Sequence, residues 1–318
     1  MEKQRLVQWL ASFVLVAFGN GFAISQNYPN ATIRIVAPEA GGGGDLVARI
    51  VAQGLTPRLG QQVIVDNRGG SAVIAAGIVA KAAPDGYVLL LSASAHWLLP
   101  LFESVPYDPI KDFAPISMTT LSPAVIAVHP SVDAKSLKEL MALAKSKPGQ
   151  MNVGSGTKGS TTYLSAELFK VDAGLDIVSI PYKGAGPALT AVMGKQVDMI
   201  IMTAGSVMPH AKSGKLRALA VASARPSPLA PGLPTATEAG LPGFESGSYI
   251  GMFAPAKTPE SITMKLNQEI VQHLNQPEIK SKLFGLGLDV VGSSPSQLMT
   301  IVQSEMSRIE KMISKIKP

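Results

Sequence analysis

Cysteine is absent from the sequence. That excludes disulfides, thiolate catalysis, cysteine-ligated metals and a lipid-anchored N-terminal cysteine. Histidine is scarce: His96, His129, His210 and His273 are the whole set, and none forms an H-x-x-H or H-E-x-x-H pair. The sequence therefore offers no metal site. Neither a G-x-S-x-G elbow nor a P-loop pattern occurs, which removes two common enzyme signatures. Aromatic residues make up 5% of the chain. The basic excess, 28 Lys and Arg against 22 Asp and Glu, is scattered. Its densest stretch, Lys311, Lys315 and Lys317, has no interleaved aromatics and reads as a helix end complementing its dipole. Nucleic-acid binding, which needs a concentrated basic face, is not expected.

Bilayer-length apolar runs are also missing, and the apolar run that bears on targeting is Leu10 to Phe18. That run follows Lys3 and Arg5 and precedes small residues around Ala23 and Ser25, the three-part pattern of a secretory signal. It is well short of the roughly 20 apolar residues that span a bilayer. Residues 1–25 are expected to be a cleaved signal peptide and the mature protein a soluble periplasmic one.

What remains suits two domains of roughly 100–200 residues each, with 46% of the chain apolar. Strand-like runs alternate with helical patterns. Thr32–Ala37, Gln62–Asp66 and Tyr87–Ser92 read as strands around helices at Asp45–Leu59 and Ile74–Ala83. A second series starts near His129, with helices at Ser136–Lys147, Thr161–Phe169 and Pro187–Met193. Its strands are Met151–Gly154, Ile177–Pro181, Val197–Met202 and Leu216–Ser223. Arg225–Gly243 carries five prolines and reads as an extended surface connection. Helices at Pro259–Leu274 and Pro295–Ile316 close the chain. Repeated β-α-β spacing predicts parallel sheets covered on both faces. Ala124–His129 and Tyr249–Ala254 read as crossovers between the series. The expected fold is α/β, two doubly wound domains with a hinged cleft. Residues 26–125 plus 253–318 form one domain and 126–252 the other.

Two glycine-rich segments stand out. Gly41, Gly42, Gly43 and Gly44, with Asp45 as N-cap, sit between a strand and a helix. Free amides at a helix N-terminus and the helix dipole make an anion site there. Ser155, Thr157, Ser160 and Thr161 occupy the matching place in the second series, so the two loops are expected to grip one anion from opposite sides. Ser94 and His96 follow the third strand, where ligands meet a parallel sheet. For His96 both ligand contact and a structural role stay open. Glu39 precedes the first loop by two residues, at the cleft or on the loop surface. The alternative is a dinucleotide-binding oxidoreductase, because Asp66 ends the second strand about 20 residues on. Its fingerprint requires a third glycine where Leu46 stands. Ser155–Lys158 matches S-x-x-K, but no S-D-N element accompanies it.

Taken in order, several short motifs add up. They are Tyr28-Pro29 with Ile33-Arg34-Ile35-Val36, the Gly42–Asp45 loop with Ala48-Arg49, Asp66-Asn67-Arg68-Gly69, and Ala83-Pro84-Asp85-Gly86-Tyr87. Pro181-Tyr182-Lys183-Gly184, Gly214–Ala220, Leu233-Pro234-Thr235, Glu238-Ala239-Gly240 and Ala254–Pro259 complete the set. The chain resembles the extracytoplasmic receptors of tripartite tricarboxylate transporters, the Bug-type periplasmic binding proteins, from about Tyr28 to its C-terminus. The resemblance implies a monomeric Venus-flytrap binder that needs no cofactor, performs no catalysis, and delivers a small carboxylate to membrane permease subunits. It implies ligand contacts from Glu39–Gly44 and Ser155–Thr161, with Ser94 to His96 nearby. Glu39 and Tyr249 depart from the family pattern, where an aromatic residue and Trp are common.

Overall fold

The computed structural model describes residues 28–37, 43–68, 72–157 and 160–316. The signal-peptide reading, together with Glu39, Gly41 and Gly42, lies outside them. The first half opens with β1 (Ile33–Ala37), α1 (Gly43–Leu59), β2 (Val63–Asn67), α2 (Ala72–Ala80) and β3 (Val88–Ala93). These strands are short runs rich in Val, Ile and Leu, suited to a sheet covered on both faces. Along α1, Val47, Ile50, Val51 and Leu55 recur at helical spacing and are buried. Gly60, at φ +67°, ends the helix in the left-handed region that glycine adopts at little cost.

A short helix α3 (Ala95–Leu98) and a 3-10 turn (Leu99–Leu101) lead to β4, a strand of 16 residues (Phe113–Val128). The second half follows as α4 (Leu137–Ser146), β5 (Asn152–Ser155), α5 (Thr161–Ala173), β6 (Val178–Pro181), α6 (Ala185–Met193), β7 (Met199–Thr203), α7 (Ala204–Lys212) and β8 (Arg217–Ala222). The chain returns through β9 (Gly247–Pro255) and ends with α8 (Glu260–Leu274), α9 (Pro277–Gly285), β10 (Asp289–Val290) and α10 (Pro295–Ile316).

The described strands form one sheet in the order β2-β1-β3-β9-β4-β7-β5-β6, with β8 and β10 also paired to β4. It is mixed rather than parallel, because β4 and β9 run antiparallel to their neighbours. Strand β4 belongs to both halves: Phe113 to Pro123 pair with β9, and Ala124 to Val128 pair with β7 and β8. In the first half α1 and α8 pack on one face of the sheet, and α2, α3 and α10 on the other. In the second half α4 and α5 cover one face and α6 and α7 the opposite one.

The halves also touch at two glycines. A Cβ added to Gly205, in the first turn of α7, would lie 2.9 Å from Gly287 Cα, and one added to Gly287 would lie 2.3 Å from Gly205 Cα. Gly287 has φ +76°.

Several expected elements come out differently. Helix α2 stops at Ala80, ahead of the Pro84-Asp85-Gly86 turn, and α5 runs on to Ala173, where Gly174 in the left-handed region stops it. The proline-rich stretch is not wholly a surface strap. Thr235 bridges Val221, and Ala230, Ala236 and Leu241 are buried. Helices α7 and α9 were not expected, nor was the Phe113–Pro123 part of β4.

Candidate functional site

Strand directions fix where a ligand can sit. Strands β1 and β3 run toward the middle of β4 from one end, and β7, β5 and β6 run toward it from the other. On the first side Ala93, the last residue of β3, pairs with Ile250, which pairs with Thr120. On the second side Thr203, the last residue of β7, pairs with Ala124. The C-terminal edges of the two halves are therefore turned toward each other, four β4 residues apart, or about 13 Å of extended strand. Ligands of α/β folds bind outside the carboxyl ends of strands, and here both sets of ends border one gap.

Gly43 and Gly44 form the first turn of α1. The space where a Cβ of Gly43 would stand is open, and that of Gly44 meets only Leu91 Cδ2 at 3.8 Å. Asp45 is the third helical residue rather than the cap. Its Oδ1 accepts from Asn67 Nδ2 and from Arg49 Nε, each at 3.0 Å, and Arg49 also donates to Asn67 Oδ1 at 3.0 Å. This triangle fastens the start of α1 to the end of β2. Leu46, at the place of the third dinucleotide glycine, lies inside the helix.

The second loop is knitted by its own hydroxyls. Gly156 N donates to Thr162 Oγ1 at 2.9 Å, and Ser160 Oγ lies 3.2 Å from the same oxygen. Ser160 caps α5 by accepting from Tyr163 N at 3.3 Å. Ser155 is buried and donates to Gly156 O at 3.3 Å. Thr161 O accepts from Ser165 Oγ at 2.8 Å. A Cβ on Gly156 would approach Ser160 Oγ to 2.7 Å and Thr162 Oγ1 to 2.8 Å, so the loop requires glycine for space. Thr157 is exposed.

Ser94 and His96 are placed inward. Ser94 Oγ accepts from Tyr249 N at 3.4 Å. The His96 ring is fully buried, 4.5 Å from the Phe113 ring and 4.9 Å from that of Phe253, with Tyr107 and Trp97 beside it. Burial lowers its pKa to about 3, so the ring is neutral, and neither nitrogen has a hydrogen-bond partner among the described residues. Next to it Trp97 Nε1 donates to Glu305 Oε2 at 2.8 Å.

Sequence reasoning did not single out two polar residues of β4. Thr120 and Ser122 are buried hydroxyls without a hydrogen-bond partner among the described residues. The available signal was a run of hydroxyls just ahead of Pro123 in an otherwise apolar stretch. Among the described residues no cluster of His, Cys, Asp and Glu is suited to a metal, and no helix is long and apolar enough to cross a membrane.

A model of the tripartite tricarboxylate transporter family receptors matches residues 47–317. Protein BugT of Bordetella pertussis is 34% identical over 313 residues, covering 97% of this chain and 96% of that one. Among solved structures, Rpa4515 of R. palustris with adipate is 33% identical at a TM-score of 0.77, covering 90% of this chain and 97% of its own. MatC (Rpa3494) from Rhodopseudomonas palustris with bound malate is 34% identical at 0.75, covering 90% of this chain and 100% of its own.

Proposed function

The chain belongs to the tripartite tricarboxylate transporter receptor family, and we propose that it is an exported binder which closes two lobes over one small carboxylate. One lobe comprises residues 26–125 and 253–318, the other 126–252. The carrying observation is the pair of opposed strand edges, the first followed in sequence by the Gly41–Gly44 run that leads into α1 and the second by the hydroxyl-rich segment that opens α5. Helix N-termini present amides and positive dipole ends to an anion, so α1 and α5 hold the carboxylate from the two lobes. Gly41 to Gly44 supply amides from the first side, and Ser155, Thr157, Ser160 and Thr161 supply amides and hydroxyls from the second. Glu39 borders the first loop, and the backbone of Ser94 to His96 closes the end of β3. The liganded form is handed to membrane permease subunits, and no chemical step occurs.

The test is a thermal-shift screen with malate, adipate, citrate, butyrate and NAD. A ligand at 100 times its Kd adds about 2.7 kcal/mol to stability. At least one acid is expected to raise Tm and to be recovered unchanged, while NAD has no effect. Conversion of a bound acid into product, or stabilisation by NAD alone, would overturn the proposal.

A further inference from the structure

The far end of the second lobe holds a cavity that lies away from the ligand gap. It has a volume of about 470 Å³ and sits among the last turns of α7, the turn at Gly214, the start of β8, Pro130 and Leu233. Arg217 opens β8 and pairs with Val128 of β4, whereas Ala124 is level with the gap. The cavity is therefore four strand residues from the gap, or about 13 Å. Two cations line it, Lys212 and Arg217, and no Asp or Glu does.

Arg217 differs from most other arginines of the chain. Arg34, Arg49, Arg58, Arg68 and Arg308 each have a carboxylate oxygen within 3.9 Å. Arg217 has none among the described residues. Its Nη1 donates to Val132 O and Ala134 O, both at 3.0 Å. Those two carbonyls use both hydrogens of that nitrogen and fix the guanidinium plane, but neither neutralises its charge. Asp133, between them in sequence, is exposed. Nε and Nη2 are left over, and their parallel N–H groups match two oxygens of a carboxylate or phosphate. Arg217 is partly buried, where an unmatched charge costs more than at the surface. The negative end of α7 opposes an anion only weakly. Pro209 O, His210 O and Ala211 O already accept from Ser213 N, Lys215 N and Gly214 N.

We infer that this cavity is a second binding site, for a small amphiphilic oxyanion: a carboxylate or phosphate carried on an apolar body. The free edge of Arg217 takes two oxygens of the head group, and the exposed Lys212 ammonium adds charge beside it. The apolar body lies against Met208, Leu216 and Leu233. At Gly214, with φ +75°, a Cβ would meet nothing within 4 Å, so the rim is open for entry at the turn. The volume is within the range of small-molecule sites. All of these residues belong to one lobe, so binding here needs no closure of the gap.

The test is mapping of amide chemical shifts by NMR as octanoate, octyl phosphate, octanol and inorganic phosphate are added to the parent, Arg217→Gln and Lys212→Glu. Octanoate and octyl phosphate are expected to shift the amides of Gly214 and Ala218 in the parent, and the tighter of the two names the head group. Octanol and inorganic phosphate are expected to bind there more weakly. Affinity for the two acids is expected to fall about tenfold in Arg217→Gln, the size of one lost charge-assisted pair, and to fall also in Lys212→Glu. Octanol binding as tightly as octanoate would leave an apolar hollow, and inorganic phosphate binding as tightly as octyl phosphate a bare ion site. Either result overturns the assignment, as do shifts confined to Gly44, which would put the acids in the gap. Lys212 is exposed and makes no bond among the described residues, so Lys212→Glu decides the matter if Arg217→Gln fails to fold. Unchanged affinity in that variant would overturn the site.

Discussion

Trp97 and Glu305, 208 positions apart, are joined by an indole-to-carboxyl hydrogen bond of 2.8 Å that ties α3 to α10. Glu305 is held in the core, and burial lifts its pKa from 4.5 to about 7 against the opposing pull of Trp97, Arg308 and Ser94. Arg308 Nη2 lies 3.9 Å from the Glu305 carboxylate and another guanidinium nitrogen donates to Glu245 O. The charged form is thus the unfavourable one in the folded state.

The pH dependence follows from that sign. A folded-state pKa above the unfolded one gives stability that is fully present below about pH 4.5 and is lost as pH rises through about 7. Over the whole window the contribution is on the order of 3 kcal/mol. Thermal melts between pH 5 and 8 are expected to show a declining Tm for the parent. Glu305→Gln, which keeps an acceptor for Trp97 without the charge, is expected to flatten this decline and melt higher at pH 8. Superimposable profiles would mean that Glu305 does not titrate in this range.

Gly43 and Gly156 separate two reasons for glycine. At Gly43 a side chain meets open space, so Gly43→Val is expected to leave Tm nearly unchanged while blocking close approach of the ligand to the helix amides. At Gly156 a methyl group collides with Ser160 and Thr162, and Gly156→Ala is expected to cost about 1–3 kcal/mol as well as ligand affinity. Melting curves and acid titrations of both variants check the contrast. Full ligand affinity in both would move the site elsewhere.

Across the lobes, Gly287→Ala sets a methyl group against the backbone of Gly205 at a residue held at φ +76°. A loss of about 1–3 kcal/mol is expected, with the lobes held apart. Small-angle scattering with a saturating acid is expected to show compaction of the parent and less of it in the variant. Equal compaction would remove this contact from the closing motion.

A Glu39 that faces the cleft, rather than the loop surface, would set ligand charge. A second carboxylate within about 4 Å of its own would be repelled by up to about 4 kcal/mol at an effective dielectric near 20. Citrate is therefore expected to bind the parent weakly and Glu39→Gln more tightly, while a hydroxy monocarboxylate hardly distinguishes the two. Tight citrate binding by the parent, unimproved in the variant, would place Glu39 outside the ligand's reach.

Local patterns in the sequence locate most helices and parallel strands because each is coded by its own neighbours. The runs at Ile33–Ala37 and Val88–Ala93 are apolar apart from Arg34 and Ser92, and α1 follows a helical period. The region Phe113–Pro123 is different. Pro115 and Pro123 oppose a central-strand reading, and the region pairs, among the described residues, through partners more than a hundred positions away, with register shifts near Pro115 and Met118. Helix α7 is masked by Pro209 within it. For the site, glycine spacing marks both loops, whereas the facing of the two strand edges becomes visible only when the ends of β3 and β7 are aligned along β4. For His96 the sequence leaves ligand contact and a structural role open, because nothing nearby in sequence announces the rings of Phe113 and Phe253.

The continuity of β4 and β9 has a consequence for how the chain matures. Thr119 Oγ1 bonds to Ile250 O across 131 positions, and the lobe built from the earliest residues is sealed by β9, α8 and α10. That lobe has no route to completion while the chain is still arriving N-terminus first from the ribosome. Until residues 247–316 are delivered, β3 and the first part of β4 lack their central partner, and exposed strand edges invite association with other chains. Late closure of this kind makes the interval just before β9 emerges the one in which a holding chaperone protects the chain most.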